Sequence, residues 1–436
     1  MRSELRPLRE VCSLIADCPH STPVWTDSGY VVIRNQNIKN GRLDLSAPSF
    51  TDADHFAQRI RRAKPTAGDI IFTREAPMGE VCMIPPGLEC CVGQRQVLLR
   101  PDLKVVDGRF LLFALQSPQV QHEIAWNEGT GSTVSNVRIP VLEALRIPTP
   151  PLEVQHEIGA VLGALDDRID LLRQTNATLE SIAQALFKSW FIDFDPVRTK
   201  AEGREPEGMD AATAALFPAE FEESALGLIP RGWQVGTFGD LAELAKGSVN
   251  PLNAPHTTFE HYSLPAFDAA TLPTFELGED IKSNKTRVPA GAVLQSKLNP
   301  HIPRIWFPSR VGSSAVCSTE FLPWMAKPIA SAEIVYCTLS SPAFEASVRA
   351  LVTGTSNSHQ RVKPDQVAGL ALVVAPAAAY RAFAGVVGPL LAKAGENRWT
   401  AKGLAELRDT LLPRLISGKL RLPEAQEQLD AEGAVA

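Results

Sequence analysis

Between residues 152 and 196 apolar side chains recur in alternating steps of four and three, at Ile158, Leu162, Leu165, Ile169, Leu172, Leu179, Ala183, Leu186 and Trp190. Asn176 is the one polar member of that series. The alternation keeps one stripe of an α-helix apolar and predicts a coiled-coil seam. No proline occurs before Pro196, so roughly forty residues at about 1.5 Å each give a rod of about 60 Å. Such a rod is longer than a helix packed within one globular body needs, and it predicts a spacer between two bodies. The acidic pair Asp166–Asp167 is read as a solvated face of this rod.

A second stretch, residues 377–416, repeats the pattern with Phe383, Val387, Leu390, Ala394, Ala401, Leu404 and Leu411. A shift of 225 positions lays Ile158 on Phe383, Leu162 on Val387, Leu179 on Leu404 and Leu186 on Leu411. The same shift lays Gly129 on Gly354, Arg138 on Lys363 and Pro151 on Pro376. The chain therefore reads as a tandem duplication, each copy a globular part followed by a long helix. Two amphipathic helices in one chain can bury their seams on each other, which predicts a two-fold-like object with two similar heads.

The globular parts show short β-like runs bounded by Gly, Pro and Asp. In the first copy these are residues 30–33, 69–72, 80–84 and 96–100, followed by a helix pair over 108–126 broken at Pro118. In the second copy residues 290–298, 333–351 and 370–376 carry the matching landmarks. The expected fold is α/β: two tandem α/β modules separated by two long antiparallel coiled-coil helices, a pseudo-two-fold repeat. The expected bounds are 1–151 for the first module, 152–196 for the first helix and 197–229 for a linker rich in Ala, Glu, Gly and Pro with room for one short helix. The second module is placed at 230–376, the second helix at 377–416 and a polar, disordered tail at 417–436.

Composition changes this picture little. A chain of 436 residues has room for more than one core. The net charge of −6 argues against indiscriminate nucleic-acid binding, but a local basic cleft remains compatible with it. Seven cysteines without CxxC spacing predict reduced thiols in a cytoplasmic protein. No apolar run is long enough to span a bilayer, and the first ten residues lack a signal peptide's apolar stretch.

Catalytic motifs are absent. The sequence holds no GxxxxGK[ST] loop, GxGxxG turn, GxSxG elbow or HExxH helix. Asp193-Phe194-Asp195-Pro196 comes nearest to an amino-methyltransferase motif but lacks its second proline. No metal-ligand spacing occurs. The chain reads as non-catalytic.

Polar loops point to nucleic acid instead. Residues 34–40 hold Arg34, Gln36, Asn37 and Lys39, and Arg suits guanine as Asn and Gln suit adenine. The basic run 59–64 supplies Arg61, Arg62 and Lys64 for phosphates. Two glycine-led loops fall at equivalent places in the copies. One carries Thr130, Ser132, Thr133 and Asn136, the other Thr355, Ser356, Asn357, His359 and Arg361. Small hydroxyl and amide side chains there allow close approach to a phosphate backbone. Lys282, Lys285 and Lys297 add positive charge in the second copy.

Several strings, taken in order, carry a family resemblance: Cys18 to Pro23, Pro150 to Gln155, Leu186 to Phe191 with Asp195 to Val197, Gly227 to Trp233, and Leu411 to Leu420. With them the chain resembles the DNA specificity subunits of type I restriction–modification systems over nearly its whole length. The resemblance implies two target recognition domains, each reading one half of a bipartite double-stranded DNA site. It implies that the helices set the unread spacer and dock two methyltransferase subunits, through the seam residues Ile158, Leu162, Leu165, Ile169, Leu172, Leu179 and Leu186 and their counterparts Phe383, Val387, Leu390, Leu404 and Leu411. S-adenosylmethionine would belong to those subunits, and ATP with magnesium to two restriction (translocase) subunits; this chain would carry no cofactor and no metal. Two strings depart from the family pattern. Residues 246–251 replace the Pro19-His20-Ser21-Thr22 string in the second copy, and Ala377-Ala378-Ala379-Tyr380 lacks the Leu-Glu-x-Gln that opens the first helix.

Other readings keep the architecture and change the role. A coiled-coil scaffold with adaptor heads would bind no DNA, and an enzyme would hide an unlisted active site in one head. A specificity subunit serving a combined nuclease–methylase would have the same sequence features.

Overall fold

The computed structural model describes residues 4–126, 136–352 and 360–431. The chain divides into two units, Met1–Ile169 with Gly403–Ala436, and Asp170–Lys402, so each long helix lends one end to each unit. Among the described residues no helix is long and apolar enough to cross a membrane.

In the first unit a four-stranded antiparallel sheet runs in the order Cys12–Asp17, Gln96–Pro101, Ile70–Thr73, Val81–Met83. Ile70–Thr73 is buried along its whole length, which is why Ile70, Ile71 and Phe72 are apolar in succession rather than alternating with polar residues. Ile71, Cys82 and Leu98 pack against Ile33, Cys90 and Val92 from a second sheet, ordered Ser49–Thr51, Tyr30–Ile33, Cys90–Val92. Its last two strands are parallel. The helices Gly108–Gln116 and Pro118–Trp126 follow. Asp107 caps the first by accepting the Phe110 amide at 2.8 Å, and Pro118 opens the second, where its missing N–H costs nothing.

The second unit repeats this topology. Its four-stranded sheet runs Ala242–Leu244, Phe321–Ala326, Val293–Ser296, Ile305–Trp306. A five-stranded sheet again holds one parallel pair, Thr258–Tyr262 with Ala315–Ser318. Helices Ala332–Leu339 and Pro342–Ala350 stand where the first copy has its pair. Strand Glu4–Pro7 pairs with Arg146–Thr149, and Gln234–Thr237 pairs likewise with Ala371–Val374. The duplication legible in the periodicity is thus a duplication of strand order.

The long helices span Leu152–Phe191 and Ala377–Ile416. In the first unit Ile158, Leu162, Leu165, Ile169, Leu404 and Leu411 are buried. In the second, Phe383, Val387, Ala183 and Ala394 are buried, whereas Leu172, Leu179 and Leu186 are half-buried. Leu391 is buried rather than Leu390, which is half-buried. A straight helix of 3.6 residues per turn drifts against a seven-residue repeat, so the inner stripe moves by a position over several turns. Asn176 and Asn397 are both buried. The Asn397 amide donates to Asn176 Oδ1 at 2.9 Å, and Asn176 donates to the Ala394 carbonyl at 3.0 Å. In the same unit Phe187 and Phe191 meet Phe383 edge-to-face, so the two helices run antiparallel there.

Two stretches differ from the sequence expectation. Residues 197–229 contain the end of helix Asp195–Ala201, helix Ala211–Ala214 and a hairpin, Phe221–Ser224 with Gly227–Pro230. Val197 and Phe217 join an apolar core. Elements this short show no periodicity, which is why the stretch reads as a linker. Leu422–Ala431 is helical, with Ala425 and Leu429 buried, rather than disordered.

Candidate nucleic-acid interface

In the first unit residues 34–40 form a built turn. Asn35–Asn37 is a short 3-10 turn in which Asn37 Oδ1 accepts the Arg34 amide at 3.0 Å. The Asn37 amide donates to the Asp44 carbonyl at 2.9 Å. Asn37 is buried, so its side chain shapes the turn instead of meeting solvent. Ile38–Lys39 then pairs with Arg42–Leu43 across Asn40 and Gly41, at φ 52° and 79°. Two consecutive left-handed residues make the type I′ hairpin that Asn-Gly favours. Asn35 is held by Gln96, which donates to its Oδ1 at 3.2 Å. The residues left exposed are Arg34, Gln36, Lys39 and the turn residue Asn40.

Sequence reasoning missed Trp25. The Arg34 guanidinium lies 4.8 Å from the centre of its ring, and Trp25 is 45% exposed. The ring contact and a donation from Arg34 Nη1 to Ser49 Oγ at 3.4 Å hold the guanidinium at the surface, and a guanidinium held there suits a guanine edge. No periodicity marks an isolated surface tryptophan, so only the three-dimensional pairing reveals it.

The basic run divides. Arg59 is buried and donates to the carbonyls of Val92 at 2.9 Å, Ser21 at 3.0 Å and Pro19 at 3.3 Å. Burial lowers its pKa, with the nearby thiols Cys91 and Cys18 acting in the opposite direction. Arg59 therefore holds the Cys18–Pro23 segment, aided by Gln94, which donates to the His20 carbonyl and to Thr22 at 2.9 Å each. Arg61, Arg62 and Lys64 are exposed. Arg62 reaches the Asp17 carbonyl at 3.3 Å and Lys64 pairs with Glu89 at 2.6 Å.

Asn136 bridges Glu75, and the Val137 amide donates to the Arg74 carbonyl at 3.0 Å. Arg74 itself grips both carboxylate oxygens of Asp17 at 2.8 and 2.9 Å. The second unit makes the same join: the Val362 amide donates to the Lys297 carbonyl at 3.0 Å, and Leu298 bridges Arg361. Arg361 pairs with Glu320 at 3.0 Å. Thr130, Ser132 and Thr133 lie outside the described residues, as do Thr355, Ser356, Asn357 and His359.

Lys282 and Lys285 stand apart from that join. Lys282 is exposed and donates to the Glu279 carbonyl. Lys285 is buried in the five-stranded sheet, donates to Ser283 Oγ at 2.6 Å, and has its pKa lowered by burial. All seven cysteines are buried thiols, and burial pushes Cys12 up to about 12 and Cys91 up to about 11. Among the described residues no group of His, Cys, Asp and Glu could hold a metal ion.

A sequence profile described as the type I restriction modification DNA specificity domain matches residues 3–181. The HindI specificity subunit of Haemophilus influenzae is 24% identical over 81% of this chain and 86% of its own length. The MjaIX specificity subunit of Methanocaldococcus jannaschii is 25% identical over 82% of this chain and 78% of its own. The chain is thus similar to type I restriction enzyme specificity subunits over about four fifths of its length, and the DNA specificity profile matches its first 181 residues from residue 3 on. Its fold is that of the S subunit from M. genitalium, with a TM-score of 0.56 over 94% of this chain and 95% of that one, at 16% identity.

The family strings have structural work to do. Gln155 donates to the Pro150 carbonyl at 2.8 Å and accepts the Asp107 amide at 3.0 Å, tying the start of the first long helix to its head. The position 225 residues on is Tyr380, whose hydroxyl accepts the Ala375 amide at 3.0 Å. The second helix thus secures its start with a phenol where the first uses an amide. Phe187, Trp190, Phe191, Phe194 and Val197 meet Trp233, Tyr380 and Phe383 in one core, and Leu411, Leu412, Leu415, Ile416 and Leu420 are buried in the first unit.

Proposed function

We propose that this chain is the sequence-reading subunit of a type I restriction–modification complex and has no catalytic step of its own. Each head reads one half of a bipartite double-stranded DNA target, and the helices set the unread spacer. The observation that carries this reading is the repeated head: the four-stranded sheet has one strand order in both units, and an equivalent amide-to-carbonyl bond follows it in each, Val137 to Arg74 and Val362 to Lys297. Two related but non-identical readers suit two different half-sites, as dimer geometry suits half-site spacing.

In this reading Arg34, stacked on Trp25, and Gln36 meet base edges, while Lys39, Arg61 and Arg62 meet phosphates. The helices also dock two methyltransferase subunits, which bring S-adenosylmethionine. Two restriction subunits bring ATP and magnesium. Base flipping, if methylation of a stacked adenine needs it, is the methyltransferases' step.

The test is a methylome. The chain is co-expressed with a cognate methyltransferase subunit and modified adenines are mapped by long-read sequencing. A single bipartite motif that disappears when this chain is omitted is the expected result. A stable complex without modification, and without salt-dependent DNA affinity, would favour the adaptor scaffold. Modification that persists without this chain would remove it from target selection.

A further inference from the structure

We propose that Asp166 is a positioning residue that fixes the reading turn of the first unit against the long helices; the proposal rests on the specificity reading above. The sequence presents Asp166–Asp167 as solvated charges, and the structure corrects this for Asp166, whose side chain is 14% exposed. Its Oδ1 accepts Arg42 at 3.0 Å and Arg408 at 2.5 Å, and its backbone carbonyl accepts Arg42 at 3.2 Å. Arg42 belongs to the hairpin that carries the reading turn, and Arg408 to the second long helix. One carboxylate therefore joins three elements of the unit.

The link from Asp166 to the exposed reading side chains is short. Arg42 is the cross-strand partner of Lys39, and the Asn40–Gly41 turn between them closes tightly. A Cβ on Gly41 would lie 2.3 Å from the Gln116 side chain, so the turn sits directly on helix Gly108–Gln116. The Asn40 amide donates to Glu80 at 2.8 Å. A hairpin held this closely moves as a body, and Asp166 sets where that body meets the helices. With its partners 13–16% exposed, the cluster is poorly screened by salt and intolerant of losing one charge.

The position equivalent to Asp166 in the second copy is Leu391, buried and apolar. The device is therefore confined to the first unit, and its removal should act on one half-site's placement while leaving the other half-site as it was.

The test uses the full chain in complex with its methyltransferase. For Asp166→Asn the expected methylome keeps both half-site sequences, with modification spreading to sites whose spacer differs by one base pair, and with about tenfold slower methylation at the original spacing. Asp166→Glu should restore the narrow spacing. Arg42→Gln leaves the Asp166–Arg408 pair in place and should reproduce the broadening; it decides the matter if Asp166→Asn fails to assemble. Unchanged spacing in Arg42→Gln, whether methylation is full or uniformly reduced, would overturn the proposal, since a merely stabilising cluster predicts lower yield without new spacings. A wild-type chain that yields no bipartite motif would instead sink the specificity reading itself.

Discussion

The two units solve one problem with different chemistry. In the first, the head meets the first long helix through charge: Arg42 on Asp166, which also takes Arg408 of the second long helix, and Arg109 on Asp167 at 2.9 and 3.2 Å. Gly163 lets Arg109 lie flat on the helix, because a Cβ there would fall 2.4 Å from its guanidinium. In the second unit the head, the 194–233 segment and both helices share an aromatic core of Phe187, Trp190, Phe191, Phe217, Trp233, Tyr380 and Phe383. Ring centres there lie 5.3–5.9 Å apart around Phe383. Apolar burial is tolerant of small shifts in direction, whereas an ion pair demands particular atoms at particular distances. The same fold can therefore be held by bulk on one side and by geometry on the other.

Truncation of the aromatic core should break the comparison most strongly. Phe383→Ala removes a fully buried ring and is expected to destabilise the second unit by about 3–5 kcal/mol. Hydrogen exchange localised by mass spectrometry should show the loss in residues 170–402, with the first unit's sheet still protected. Asp166→Ala should be next, at up to about 3 kcal/mol, the low end for breaking a buried pair because the groups retain some exposure. Its exchange signature should fall in the first unit.

Replacing Asn176 and Asn397 together by Leu sharpens the comparison differently. A buried asparagine pair fixes register at a cost in stability, so the double variant should melt higher than wild type while its complex with the methyltransferase modifies sites over a wider range of spacers. A higher melting temperature with unchanged spacing would show that the pair does not set register. Arg109→Gln removes an exposed pair and should cost under about 1 kcal/mol, a difference that fades in high salt.

The smallest effect concerns pH. His261 is buried in the second unit, and burial lowers its pKa, against the opposing pull of Glu276. A depressed folded pKa means that stability is fully present above about 6.5, the unfolded value, and is lost as pH falls towards the folded value. Thermal melts of wild type should decline on acidification below that point, and His261→Gln should flatten the decline.

Much of the scaffold was legible in the chain. Ile158, Leu162, Leu165 and Ile169 announced the seam because long helices repeat their pattern often enough to stand out. The runs at 30–33 and 96–100 became strands Tyr30–Ile33 and Gln96–Pro101. Short elements did not show themselves: the hairpin Phe221–Ser224 with Gly227–Pro230 has too few residues for a period. Side-chain assignments were less legible still. Arg59 and Arg61 are two residues apart and alike in sequence, yet one is buried on three carbonyls and the other exposed. Asp166 and Asp167 differ in the same way. Whether a charge is spent inside the fold depends on partners more than a hundred residues away, such as Arg42 and Arg408, and periodicity carries no such information.

The central claim is that the helices measure the distance between two separately read half-sites. Its most direct test lengthens both helices by seven residues, between Leu172 and Leu179 and at the facing Ala394–Ala401 segment, so that the seam is kept. Each insertion adds about 10 Å of helix, against about 3.4 Å per base pair. The methylome of the extended chain should show both half-sites unchanged and a spacer longer by up to about three base pairs. A changed half-site, or an unchanged spacer in a folded and active complex, would contradict the account.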